Sequence, residues 1–137
     1  MSDVQATQAI LEALQRAYDE HTEYELQIDA PGFCNVDRAM QEHPYLKVEI
    51  KFLTADQADL GTSPTVKQWG QVWVSAVQLE GRGWLEPTKL IEHVRQYVEL
   101  KRLGIVTTLA AGALPPKTVK GEEHRAMIVN FYYHRQT

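Results

Sequence analysis

PYLKVEIKFLTADQADLGTSPTVKQWGQVWVSAVQLEGRGW, residues Pro44 to Trp84, reads as two long strands joined by a polar loop and closed by a glycine turn. Over Leu46–Phe52 the alternation is strict. Leu46, Val48, Ile50 and Phe52 point one way and Lys47, Glu49 and Lys51 the other, so one face meets a core and one meets water. In the second strand, Lys67–Leu79, Trp69, Trp73, Val77 and Leu79 share one face and Val72, Val74 and Ala76 the other, so its middle is expected to be covered on both sides. Asp56, Asp59, Gly61, Ser63 and Pro64 mark Thr54–Thr65 as a loop. Gly81-Arg82-Gly83 is a turn into a helix, and Pro44 opens the first strand where its missing N–H does little harm.

Working outward, Asp3–His21 is expected to be a helix capped by Ser2 or Asp3, with Ile10, Leu11, Leu14, Ala17 and Tyr18 as its buried stripe. Tyr24, Leu26 and Ile28 alternate as a short strand stopped at Asp29-Ala30-Pro31-Gly32. Phe33–His43 reads as irregular, with one helical turn at Val36–Gln41. Beyond the hairpin, Pro87 starts a helix that buries Leu90, Ile91, Val94 and Val98 and ends at Leu103, with Gly104 as a left-handed cap. Ile105–Leu109 is a strand, Ala110–Gly121 a loop, and Arg125–His134 a closing strand in which Met127, Val129, Phe131 and Tyr133 alternate with Ile128, Asn130 and Tyr132. The order α-β-β-β-α-β-β predicts an α+β fold: a single mixed or antiparallel sheet of about five strands with two helices packed on it. A chain of 137 residues fits one domain, residues 1–137.

Strand length carries a further expectation. Tyr45–Leu53 spans about 30 Å and Lys67–Leu79 about 43 Å, against a globule about 37 Å across for this chain length. The loop end of the hairpin should therefore project, and exposed strand edges invite pairing with a neighbour.

The net charge of −4 and the lack of a basic face argue against a general nucleic-acid binder. No apolar run is long enough to span a bilayer, and the start Met-Ser-Asp-Val-Gln has no signal-peptide pattern, so synthesis in the cytoplasm of the producer is expected and no membrane partner. The single cysteine, Cys34, allows no intrachain disulfide. As a catalytic thiol it would need a histidine and an electropositive setting; a bystander thiol is the simpler reading. His21, His43, His93, His124 and His134 lack the spacing of a metal site and read as scattered surface residues, so neither a metal nor a cofactor is expected. Gly81-Arg82-Gly83 lacks the lysine and hydroxyl of a phosphate loop. Asp56 and Asp59 could hold a cation loosely, but solvated loop acids are commoner. Trp69, Trp73 and Trp84 could form a stacking platform. Core packing is expected of the first two, and Trp84, in a turn, is the expected exposed hot spot. No catalytic apparatus is visible, and the chain is expected not to be an enzyme.

The whole pattern resembles the tail terminator proteins of long-tailed bacteriophages and the small tail-terminator-like domains of prophages. The N-terminal amphipathic helix, Pro44-Tyr45-Leu46-Lys47-Val48-Glu49-Ile50, Trp69-Gly70-Gln71-Val72-Trp73-Val74, the Gly81-Arg82-Gly83 turn and Ile128-Val129-Asn130-Phe131-Tyr132-Tyr133 carry the resemblance. It implies a homo-oligomer, a hexameric ring, that caps the tail tube, ends its polymerisation and forms the head–tail joining surface in the neck of the virion, assembled in the host cytoplasm. The implied partners are the tail tube protein and a head-completion protein, with DNA passing through the lumen without specific binding. Contacts are expected in the Thr54–Thr65 and Ala110–Gly121 loops and at the Gly81–Trp84 turn, so the candidate interface residues are Asp56, Asp59 and Lys117 from the loops and Arg82 and Trp84 from the turn. The alternatives are a head–tail connector or tail tube component, and a small-molecule-binding or hydrolytic domain using Cys34.

Overall fold

The hairpin becomes the spine of the sheet. In the computed structural model, which describes residues 3–31, 33–36, 43–57 and 65–136, β3 (Tyr45–Gln57) pairs antiparallel with β4 (Thr65–Leu79). The closing strand β8 (Glu122–Gln136) pairs antiparallel along the whole of β4. With 13 and 15 residues, β3 and β4 run about 43 and 50 Å. The strand order is β2-β1-β3-β4-β8-β6-β5, with β7 paired to β8. Here β1 is Ile28–Ala30, parallel to β3, and β6 is Val106–Ala113. The sheet is mixed, as expected, but has eight strands among the described residues where about five were expected. The additions, β2 (Phe33–Cys34), β5 (Arg102–Leu103) and β7 (Lys117–Val119), have two or three residues each. Segments that short leave no alternation to read.

Both helices, α1 (Asp3–Glu20) and α2 (Leu85–Val98), lie on the same face. Ile10, Leu14 and Ala17 of α1 and Leu90, Val94 and Val98 of α2 close over Leu46, Val48, Val72, Val74, Val129 and Phe131 in one core. Nε2 of His93 lies 2.9 Å from the Ala17 carbonyl and links the two helices.

Several boundaries move. Helix α2 starts at Leu85 and stops at Val98, not Leu103. Glu99 turns extended and Leu100 takes a left-handed φ of 52°, so the chain re-enters the sheet as β5. Gly104, with φ 57°, serves the tight β5–β6 turn rather than the helix end. The Ala110–Gly121 segment is mostly strand, because β8 offers both β6 and β7 an edge. The first strand begins at Ile28, where Asn35 Oδ1 accepts from Ile28 N–H (2.6 Å) and Asn35 Nδ2 donates to Leu26 O (3.2 Å). Asp3 does not cap α1 from outside; it is its first residue, and its carboxylate accepts from the Tyr133 hydroxyl. Ser2 and most of the turn expected at Val36–Gln41 lie outside the described residues.

The ladder is tightest at Gly70. It pairs with Phe52 on one side and Phe131 on the other, and those two rings meet edge to face at 5.9 Å over it. A Cβ built on Gly70 would sit 2.3 Å from the Phe131 ring and 2.8 Å from the Lys51 carbonyl oxygen. Backbone cannot yield as a flexible side chain can. Gly70→Ala is expected to cost about 1–3 kcal/mol of unfolding free energy, read by urea denaturation. Gly112→Ala, where an added Cβ meets nothing within 4 Å, should change it by less than about 0.5 kcal/mol. Equal effects at the two sites would contradict this packing.

Candidate functional site

The helices cover one face of the sheet, and the other mixes polar residues with Tyr45, Val77, Trp69, Trp73 and Ile128. Antiparallel register sets its rows: Glu49 beside Trp73 beside Ile128, Lys51 beside Gln71 beside Asn130, then Trp69 beside Tyr132. The rows are knit by side chains. Gln71 Nε2 donates to Asn130 Oδ1 (3.1 Å), and Trp73 Nε1–H donates to Gln71 Oε1 (3.0 Å). The Lys51 ammonium sits 4.0 Å over the Trp73 ring. The Lys67 ammonium sits 4.5 Å over Trp69 and 4.2 Å over Tyr132. Trp69 and Trp73 are therefore half-buried on the outer face and do not pack in the core, as had been expected. Lys67, Gln71 and Ser75 share their parity, and those three polar residues were the signal that this side of β4 faces outward.

A β-bulge decides what reaches the far end of this face. The register shifts between Phe52 and Ala55, and Gln68 Nε2 donates to Leu53 O (3.1 Å) inside the bulge. The extra residue reverses parity, so Asp56 pairs with Lys67 across the hairpin. Leu53, Thr54, Ala55 and Asp56 are all exposed, which fits a ribbon running past its core.

At the other end, Leu114 and Pro115 lie beside the sheet and wall a cleft of about 510 Å³ with Lys47, Trp73, Lys117 and His124. Small side chains at Ser75 and Ala126, cross-strand neighbours, make its floor. Burial pushes the His124 pKa down, opposed by Glu122 and helped by Lys117 and Lys47.

The Gly81–Trp84 turn is held from inside the protein. Gly81 and Gly83 have φ of 93° and 82°, a backbone that L side chains resist, and Arg82 is exposed between them. The buried Glu123 carboxylate accepts from Gly81 N–H (3.1 Å) and from Gln78 Nε2 (3.1 Å), and Gln78 Nε2 also donates to Gly83 O. Both amide hydrogens of Gln78 are thus used, and its Oε1 is without a partner among the described residues. Trp84, expected to be the exposed hot spot, is half-buried just before α2.

Three histidines expected to be scattered come together. His43 stacks on Tyr24 at 4.0 Å and lies 3.1 Å from a Glu86 oxygen, and His21 meets both Tyr24 (4.4 Å) and His93 (5.0 Å) edge-on. Burial, with Glu86 and Glu23 nearby, pushes the Tyr24 hydroxyl up to about 12. Among the described residues no group of three or more His, Cys, Asp or Glu is placed to hold a metal ion. No helix among them is long and apolar enough to cross a membrane. Cys34 is exposed on β2.

The five expected interface residues do not form one patch. Asp56 lies at the far end of the spine, Arg82 and Trp84 follow the near end of β4, and Lys117 borders the cleft. Asp59 lies outside the described residues. Sequence reading missed Lys51, Lys67 and Tyr132, whose role depends on register between strands far apart in the chain.

No protein-family model matches this chain, and no curated protein matches its sequence. Solved structures do match its fold. One small protein superposes over 97% of this chain and 96% of its own, with a TM-score of 0.72 at 13% identity. A chain from the virion of a native gene transfer agent particle superposes over 94% of each chain, with a TM-score of 0.55 at 11% identity. The same two-helix, one-sheet arrangement therefore serves in chains that share almost none of these residues.

Two outcomes test this account. Glu123→Ala leaves Gly81 N–H and one of the two Gln78 amide hydrogens without an acceptor and should cost about 1–3 kcal/mol, with hydrogen exchange accelerated at Gly81–Gly83 more than in β3. Tyr24 keeps its proton to about pH 12 when folded, whereas an unperturbed tyrosine releases it near 10. Its contribution is complete below pH 10 and lost as pH rises towards 12. Urea unfolding across that window should show a fall in stability that Tyr24→Phe makes shallower.

Proposed function

We propose that this chain is a structural protein of a tailed-phage or phage-like virion, and within that class a tail terminator. The observation that carries the reading is the near end-to-end likeness of its fold to a chain of a gene transfer agent virion. The long spine adds to it: laid straight, its strands of 13 and 15 residues would measure about 43 and 50 Å, more than the roughly 37 Å diameter of a sphere for this chain length, and Leu53, Thr54, Ala55 and Asp56 at its loop end are exposed. A protein built this way offers edges and loops for neighbours to cover.

In this role the function is shape, and no catalytic residue or cofactor takes part. Copies close into a ring, hexameric by the family resemblance, at the end of the tail tube in the neck of the particle. One ring face matches the tube protein and the opposite face does not, so growth stops. The second face then receives the head-completion protein. DNA crosses the lumen, and the net charge of −4 disfavours its retention. Assembly takes place in the host cytoplasm.

Native mass spectrometry of the chain, alone and mixed with its tail tube protein, separates this from the neighbouring roles. A closed ring of fixed copy number, alone or on tube ends, is expected. Open-ended tubes of this chain by itself would point to a tube protein instead. A strict monomer in both samples would sink the terminator reading.

A further inference from the structure

The two sides of the molecule differ in charge, although the outer face of the sheet also carries Glu49, whose carboxylate lies 3.9 Å from the Lys47 ammonium. Between Asp3 and Glu25 the chain carries six acidic residues and one basic one, Arg16. Along α1, Gln8, Glu12, Gln15 and Asp19 recur every three or four residues and are all exposed, so they form one ridge. A groove of about 480 Å³ between α1 and β1 runs beside that ridge, with Leu11 among its lining residues together with Glu12 and Gln15. Helix α1 lies on the core side of the sheet. On the other side, Lys47 and Lys51 stand exposed on β3, and Lys67 stands on β4.

We propose that the outer face of the sheet docks on the α1 ridge of a second copy of this chain, head to tail. This rests on the ring reading above and names the two surfaces that would meet in it. The spacing agrees. Glu12 and Asp19 are about 10 Å apart along a helix, and Lys47 and Lys51 about 13 Å apart along a strand. The two surfaces lie on opposite sides of one molecule, so a single copy cannot bring them together. A contact between unlike patches propagates from copy to copy and closes into a ring when its rotation permits. Opposite charge steers and registers the encounter. Leu11 in the groove supplies apolar contact inside a polar rim.

The same observations weigh against single-stranded nucleic acid as the occupant. A stacking platform needs open ring faces, and here ammonium groups already lie over Trp69, Trp73 and Tyr132. Glu49 also stands between the two lysines of β3.

Complementary charge reversal tests the proposal. One variant carries Lys47→Glu and Lys51→Glu; the other carries Glu12→Lys and Asp19→Lys. All four positions are exposed, and circular dichroism checks that both variants fold. In low salt, by sedimentation velocity, each variant alone should self-associate at least about tenfold more weakly than the wild type. A mixture of the two should recover association, since each then presents the surface the other needs. If both variants assemble as the wild type does, or the mixture is no larger than its parts, this interface is wrong while the ring reading stands. A wild type that stays monomeric, alone and with the tail tube protein, overturns both. Binding of a dT oligonucleotide that the wild type shows and the lysine variant loses would assign the face to nucleic acid instead.

Discussion

Everything in this fold is arranged around the close approach of three strands at Gly70. Phe52 and Phe131 can meet edge to face only because the residue between them has no side chain. That contact sets the spacing and register of β3, β4 and β8 together, and the rest of the sheet is added to their edges. A side chain at position 70 would push against the Lys51 carbonyl as well as the ring, so the constraint bears on backbone, where relaxation is hard.

Two consequences follow from that spine. On the helix side, the alternation of β3, β4 and β8 delivers Leu46, Val74, Val129 and their neighbours to one core. On the outer side it delivers lysines, tryptophans and amides in cross-strand rows, tied by hydrogen bonds and cation–ring contacts. The bulge after Phe52 then extends the spine beyond the core with its parity reversed, which brings Asp56 opposite Lys67.

How much could be read in advance differs by segment. Both helices, their buried stripes and the two faces of β3 and β8 were legible, because each is a local periodicity of strong amplitude. The Ala110–Gly121 segment was not, because Ala, Gly and Pro carry no strand signal there and the pairing partner, β8, lies further along the chain. Trp69 and Trp73 misled because their size suggests burial, while the polar residues of the same parity gave the better clue. The run of ring contacts from His43 through Tyr24 and His21 to His93 joins three separate parts of the chain, and no spacing in the chain announces it.

The sequence by itself determined the α+β class, the long central hairpin and which residues of each helix and of β3 face inward, since those follow from periods of 3.6 and 2 within one segment. Only the tertiary structure decided which face of β4 the helices cover, and where the candidate site lies. Both depend on register between strands separated by dozens of residues, and a shift of one residue would have exchanged the buried and exposed faces.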